Sequence, residues 1–228
     1  MNFPIHSERH NFFVQMYSGN VQIIGEDRED IEVIVDDLSN QAIEKLFDIR
    51  SSENSFSLKN RKQLQFNLDI LKNIGRSDQF QNLTLKVPQN VVLEGEIILY
   101  SGDIELKNLH LNCALKMYAG DIQLRQCQLE QECKLSLLSG DISLDESNGF
   151  IFAKSRSGDF DFRKGKISGL KVKTLHGDID VSGEFALEED GFIRSLSGDI
   201  SLDVKNEAED LLITGAKNFE NPDNKKVL

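Results

Sequence analysis

Apolar and polar residues alternate along most of this chain with a period of two, and a recurring Gly-Asp interrupts the alternation. The phrase Y-S-G-D-I-E-L at 100–106 returns as Y-A-G-D-I-Q-L at 118–124, L-S-G-D-I-S-L at 138–144 and R-S-G-D-F-D-F at 156–162. It returns twice more, as L-H-G-D-I-D-V at 175–181 and L-S-G-D-I-S-L at 196–202, and a blurred copy, Y-S-G-N-V-Q-I, stands far upstream at 17–23. Two and four residues after each glycine the chain is always apolar: Ile104/Leu106, Ile122/Leu124, Ile142/Leu144, Phe160/Phe162, Ile179/Val181 and Ile200/Leu202. The residue between each pair is Glu, Gln, Ser or Asp. This is the signature of strands with one buried and one wet face. Counting backward by odd steps gives a second set of inward positions, among them Ile97, Leu99, Leu115, Met117, Leu135 and Leu137. The residue just before each glycine is Ser or Ala except at His176, and is expected to fit the crowded inside of the bend.

The six clean glycines, Gly102, Gly120, Gly140, Gly158, Gly177 and Gly198, are spaced by 18, 20, 18, 19 and 21 residues. A period near twenty marks a solenoid, whose units bury their apolar faces only against each other. Each coil is expected to hold a strand, a Gly-Asp corner, a second strand and a return. Glycine serves a corner that needs positive φ. The coils then stack as parallel sheets about 4.8 Å apart. The expected class is all-β, a parallel β-helix.

The rest of the chain is placed around that array. Residues 1–90 are expected to form N-terminal strands and a cap, 91–204 the regular coils, and 205–228 a C-terminal cap and flexible tail. Phe12 to Ile23 follows the parity of the later coils, and Ile31–Val35 is a further strand. Ser39 is a suitable N-cap for a short helix running to Asp48, with Ala42, Ile43, Leu46 and Phe47 on its apolar side. Such a helix would cover the open end of the solenoid. Phe56–Leu58 and Leu64–Leu68 suggest strands, and Leu71–Phe80 a loop or short helix. Leu83–Val87 is a strand stopped by Pro88, and Leu211–Thr214 a last strand.

F-F-V-Q-M-Y-S-G-N-V-Q-I-I-G at 12–25, I-E-V-I-V at 31–35, L-T-L-K-V-P at 83–88 and the serial S-G-D-I motifs resemble the bacterial "putative adhesin" proteins, a domain-of-unknown-function family with β-strand repeats. The resemblance spans nearly the whole chain. It implies a right-handed, single-stranded parallel β-helix, and a setting in adhesion or cell-envelope stress. It supplies no catalytic residues.

Composition narrows the chemistry. Aromatic residues make up 7% and Trp is absent, so the core is expected to be aliphatic. A formal net charge of -12 disfavours nucleic acid and anionic membranes as partners. The start, M-N-F-P-I-H-S-E-R-H, carries no charged-then-apolar leader, and no stretch reaches the length of a membrane span. A cytoplasmic location is the expectation from that, with envelope association implied by the family.

The candidate sites each have a plain structural reading. The corner residues Asp103, Asp121, Asp141, Asp159, Asp178 and Asp199 form a column that could gather cations, but calcium-binding repeats add further ligands per turn. The preferred reading is that each carboxylate accepts a backbone N–H at the corner, with no metal or cofactor. The outward residues two, four and six before each glycine include Lys116, Tyr118, Lys134, Leu138, Phe152, Lys154, Arg156, Lys171, Lys173, Leu175, Phe192, Arg194 and Leu196. This basic and apolar face on an acidic protein could dock an acidic protein or envelope polymer. The alternative is a solvated face whose lysines prevent aggregation. Past the corner the outward residues are Glu105, Gln123, Ser143, Asp161, Asp180 and Ser201, so the two faces differ in sign. Cys113 and Cys133 both lie seven before their glycines and should stack in adjacent coils. With Cys127 they read as buried free thiols, since no C-x-x-C pair exists. His176 reads as structural. A non-enzymatic binding or scaffold protein is the main reading, and a polysaccharide-acting β-helix lyase or hydrolase the rival.

Overall fold

The computed structural model describes residues 1–36, 38–61, 82–131, 133–188, 190–204, 211–214 and 219–220. It is a parallel β-solenoid of about 6 turns with one short helix. Each coil climbs one wall, bends at its Gly-Asp corner and descends a second wall; we call these the pre-corner and post-corner sheets. The pre-corner sheet runs Ser55–Asn60, Arg9–Ser18, Val92–Ser101, His110–Ala119, Lys134–Ser139, Asn148–Ser157, the latter part of Phe160–His176, Gly191–Ser197 and Leu211–Thr214, all parallel. The post-corner sheet runs Val21–Glu26, Ile104–Lys107, Ile122–Arg125, Ile142–Asp145, the start of Phe160–His176, Ile179–Phe185, Ile200–Val204 and Phe219–Glu220.

Equivalent positions fall in register, so like residues form columns. Ile104, Ile122, Ile142, Phe160, Ile179 and Ile200 stack in line and are all buried. Leu106, Leu124, Leu144, Phe162, Val181 and Leu202 form the next column, also buried. Each such side chain contributes about 1.5–3 kcal/mol of burial, and only while both neighbouring coils are present.

The blurred copy at 17–23 is a full member of the stack. Its strands Arg9–Ser18 and Val21–Glu26 lie directly against Val92–Ser101 and Ile104–Lys107. The chain then leaves the stack at its N-terminal end, closes that end, and returns at Val92. On the post-corner side Leu83–Pro88 lies parallel to Val21–Glu26, then Asp30–Val35 and Asn2–Pro4 add antiparallel strands. On the other side Phe47–Ser52 pairs antiparallel with Ser55–Asn60. The helix Asn40–Leu46 joins the two sides. Ser39 is its N-cap and accepts from the Ala42 N–H at 3.4 Å, while Ile43 and Phe47 are buried beneath it. Val33, Leu85 and Leu58 complete this closed end. The expected strand at Leu64–Leu68, the Leu71–Phe80 stretch and most of the C-terminal tail lie outside the described residues.

One inward assignment is corrected. The side chains of Ser101, Ala119, Ser139, Ser157 and His176 are exposed, not folded into the bend. The positive φ of the following glycine breaks the alternation, so two consecutive residues before each corner face outward. Their carbonyls accept the N–H of the glycine one coil nearer the N-terminus, as from Gly120 to Ser139 at 3.1 Å.

Candidate functional site

The corner column forms first. Gly102, Gly120, Gly140, Gly158, Gly177 and Gly198 all take positive φ, from 119° to 159°. A Cβ on any of them would stand 1.8–2.1 Å from the carbonyl oxygen of the glycine one coil below. The aspartates then chain together. Asn20 Oδ1 accepts the Asp103 N–H at 3.0 Å, Asp103 Oδ1 accepts from Asp121 at 3.0 Å, and Asp121 accepts from Asp141 at 2.9 Å. Asp141, Asp159 and Asp178 in turn accept from Asp159, Asp178 and Asp199, each at 2.8 Å. Each carboxylate therefore holds a backbone N–H of the next coil rather than of its own corner, and ties the solenoid along its axis.

The outward side of the pre-corner sheet carries the second feature. All the sequence-selected residues of the basic face lie there, in three columns set by strand register. Two before the corner stand Tyr17, Tyr100, Tyr118, Leu138, Arg156, Leu175 and Leu196. Four before it stand Gln15, Ile98, Lys116, Ser136, Lys154, Lys173, Arg194 and Thr214. Six before it stand Phe13, Glu96, Ala114, Lys134, Phe152, Lys171, Phe192 and Leu212.

Seven large apolar side chains are exposed among the described residues, and every one is on this face: Tyr17, Tyr100, Tyr118, Leu138, Phe192, Leu196 and Leu212. Tyr17 and Tyr100 escaped the sequence reading, although both stand two before a glycine, because the basic residues begin only one coil later. The three tyrosines form a row: Tyr100 and Tyr118 stack with ring centroids 4.8 Å apart, and Tyr17 lies tilted against Tyr100 with centroids 5.3 Å apart. Lys171 lies over the Phe152 ring at 5.0 Å.

The cations here are of one sign and mostly lack carboxylate partners. Lys116 pairs with Glu96 across one strand spacing, which raises the Lys116 pKa. Among the described residues no carboxylate lies within 4.0 Å of Lys154, Arg156, Lys173 or Arg194. A shallow depression of about 520 Å³ spreads over Lys116, Tyr118, Ser136, Leu138, Lys154, Arg156, Lys173 and Leu175.

The post-corner sheet differs. Its outward charges mix both signs: Arg125 lies between Lys107 and Asp145, Asp145 lies opposite Arg163, Arg163 forms an ion pair with Asp161, and Asp161 lies opposite Asp180. Asp180 is pushed above the usual carboxylate range by desolvation and by the neighbouring Asp161. No large apolar side chain is exposed there among the described residues.

Other reactive side chains are buried. Cys113, Cys127 and Cys133 are free thiols in the core, as expected, with Cys133 stacked beside Cys113. Burial pushes Cys127 up to about 11, and the neighbouring Cys133 thiol together with burial pushes Cys113 well above its ordinary value. His10 is fully buried, with Nδ1 3.2 Å from Ser7 Oγ and its pKa lowered by desolvation. His176 is exposed at its corner. No group of three or more His, Cys, Asp or Glu able to hold a metal occurs among the described residues, and no helix among them is long and apolar enough to cross a membrane.

The family model described as Toastrack DUF4097 matches residues 10–216. The chain belongs to the Toastrack DUF4097 family. A solved structure of a "putative cell adhesion protein" from Clostridium sporogenes is similar at 11% identity, covering 87% of this chain and 94% of that one, with a TM-score of 0.32. A "putative adhesin" from Bacteroides fragilis is similar at 11% identity, covering 90% and 95%, with a TM-score of 0.33. No curated protein matches the chain.

Proposed function

We propose that this Toastrack chain is a non-enzymatic binding or scaffold solenoid that presents the outer face of its pre-corner sheet to an acidic partner, a protein or an acidic envelope polymer. One observation carries the reading: on a protein of net charge -12, the large apolar side chains exposed among the described residues share a single face with Lys154, Arg156, Lys173 and Arg194, which have no carboxylate within 4.0 Å among those residues. Solvated faces normally scatter their apolar residues singly, and a set of them gathered on one face and bordered by polar residues supports an interaction surface, for which the like-signed cations select an acidic partner. A cell-envelope setting comes from the family resemblance, and adhesion is what the names of the two structural neighbours say of them.

The rival, a polysaccharide lyase or hydrolase, would need acidic and basic groups gathered in a walled groove. The corner carboxylates Asp159 and Asp178 are instead bound to backbone N–H groups in a uniform column. Charge reversal at Lys154, Arg156, Lys171 and Lys173 tests the proposal. Acidic partners captured from native lysate by the unaltered protein should be lost by this variant and kept by an Arg125→Glu control on the opposite sheet. Identical recovery by both variants would end it. Turnover of polysaccharide that disappears in an Asp159→Asn/Asp178→Asn variant would favour the enzyme.

A further inference from the structure

We infer that His10 is an acid-sensitive latch at the closed end of the solenoid: with a neutral imidazole it holds residues 1–10 on the first coils, and taking up a proton releases them. The docking face plays no part in this latch.

His10, Leu93, Leu111 and Leu129 lie in register in successive parallel strands, and all four are buried. The first coil therefore has an imidazole where the next three have leucine. The ring's Nδ1 lies 3.2 Å from Ser7 Oγ. Its Nε2 is the one buried side-chain nitrogen or oxygen among the described residues without a hydrogen-bond partner. Buried polar groups are almost always paired. Whichever nitrogen carries the hydrogen of the neutral ring, Nε2 stays unmatched. A second proton puts a full charge, and an N–H without an acceptor, into the core, which is far costlier. No charged side chain offsets that cost, since desolvation is the cause that lowers the His10 pKa. On its own segment Arg9 turns outward to Glu94 and Glu130, and His6 and Glu8 are exposed. On the strands alongside, Glu96 pairs with Lys116, Lys59 lies over the Phe13 ring, and His110 pairs with Glu130. At the closed end Glu29 and Glu53 are exposed, and Arg28 is paired with Asp30 and Glu32.

Strand pairing sets where the chain parts. From Asn11 onward the first strand lies between two neighbours, Ser55–Asn60 and Val92–Ser101. Among the described residues Arg9 and His10 pair on one side only, with Val92 and Leu93. Before them, Asn2–Pro4 pairs with Asp30–Val35 alone among the described residues, and Ile5 donates to the Glu29 carbonyl at 3.0 Å. Residues 1–10 can therefore peel away without separating any two coils. The ion pairs of Arg9 must break as well, but they lie at the surface, where such pairs contribute little. Release frees the Asp30–Glu32 edge, and a free edge is a template for pairing with another chain. Proton uptake drives release because the open segment binds a proton at the ordinary histidine pKa, about 6.5, and the closed one only at lower pH. The closed form is thus fully held above about pH 6.5 and loses its hold as the pH falls below that value.

Amide hydrogen exchange of the full chain, followed by mass spectrometry from about pH 7.5 to about pH 5 and corrected for the intrinsic pH dependence of exchange, tests the latch. Protection of residues 1–10 should be steady above about pH 6.5 and fall by about tenfold per pH unit below it. The inner coil strands, such as Ile142–Asp145, should keep their protection over the same range. His10→Gln retains a polar side chain that does not titrate, and should remove the pH slope. His10→Leu, which extends the column of Leu93, Leu111 and Leu129, should remove the slope and raise protection of the segment at every pH. His6→Gln and His110→Gln should leave the slope in place. Three results would each overturn the latch: a slope that persists in either His10 variant, protection of residues 1–10 that ignores pH in the unaltered protein, or a loss of protection shared equally by every coil.

Discussion

Each coil turns twice, and the two turns obey different rules. At the first, a glycine with φ above 100° packs its α-carbon against the carbonyl of the glycine below. At the second, six residues later, four successive coils place Asn108, Gln126, Glu146 and Lys164 in the left-handed region, with φ between 51° and 55°. That region is uncommon but accessible to L-residues, at a cost of about 1–2 kcal/mol. No common residue type is required there, and four different ones are used. A chain reversal therefore constrains the sequence only where backbone lies on backbone.

The strongest way to break this comparison is to add one methyl at the first turn. Gly140→Ala places a Cβ 2.0 Å from the Gly120 carbonyl oxygen at a φ of 124°. Strained backbone costs about 1–3 kcal/mol, and forcing apart two coils in the middle of the stack costs about as much again. We expect a loss of about 3 kcal/mol or more, read as a lower urea midpoint or as separate melting of the two halves. A midpoint equivalent to less than 1 kcal/mol of change would show that the glycine column is not dictated by contact between coils.

A smaller effect sharpens the roles within the first turn. Asp141→Ala removes the acceptor of the Asp159 N–H, a hydrogen bond of 2.8 Å. The corner is exposed and water can take over, so the expected loss is about 1 kcal/mol. Asp141→Asn should restore most of it, because Asn20 already performs the same task for Asp103 in the first coil. If Asn were as damaging as Ala, charge rather than the hydrogen bond would hold the column.

The same contrast explains how much of the molecule was legible from its sequence. The glycine column, the inward pairs such as Ile142/Leu144 and the outward cations such as Lys154 and Lys173 could be read because contact between coils repeats the constraint every twenty residues or so. Ser39 and Ile43 gave the helix through local chemistry. The second turn could not be read, since Asn108, Gln126, Glu146 and Lys164 are four different polar residues, none of them a glycine that would mark a left-handed position. Nor could the neighbour relations of the first coil. Tyr17 packs against Tyr100, and the Gly19 N–H reaches the Ser101 carbonyl at 3.1 Å, although some eighty residues separate them in sequence. Repeat motifs report a common shape, and which copies touch is decided by strand pairing that spacing does not encode. The basic and apolar face proposed for docking was visible as parity, but the confinement of exposed apolar side chains to it among the described residues needed exposure, which showed Tyr17 and Tyr100 in the same column as Tyr118 and Leu138.

The mildest test works at the second turn. Lys164→Gly relieves a φ of 51° and removes one ion pair, Lys164 to Glu146 at 3.8 Å, between two exposed side chains. Glycine recovers about 1 kcal/mol of left-handed strain, gives back about 0.5–1 kcal/mol in chain entropy, and loses a surface pair worth at most a few tenths. These nearly cancel, so the urea midpoint should correspond to a change within about 0.5 kcal/mol of zero. The neighbouring Gly165 provides the internal contrast: a Cβ there would stand 1.9 Å from the Ser147 carbonyl oxygen, so Gly165→Ala should destabilise although it lies one residue away. A Lys164→Gly loss as large as that of Gly165→Ala would mean that side chains at the second turn brace the coils, and the distinction between the two turns would fall.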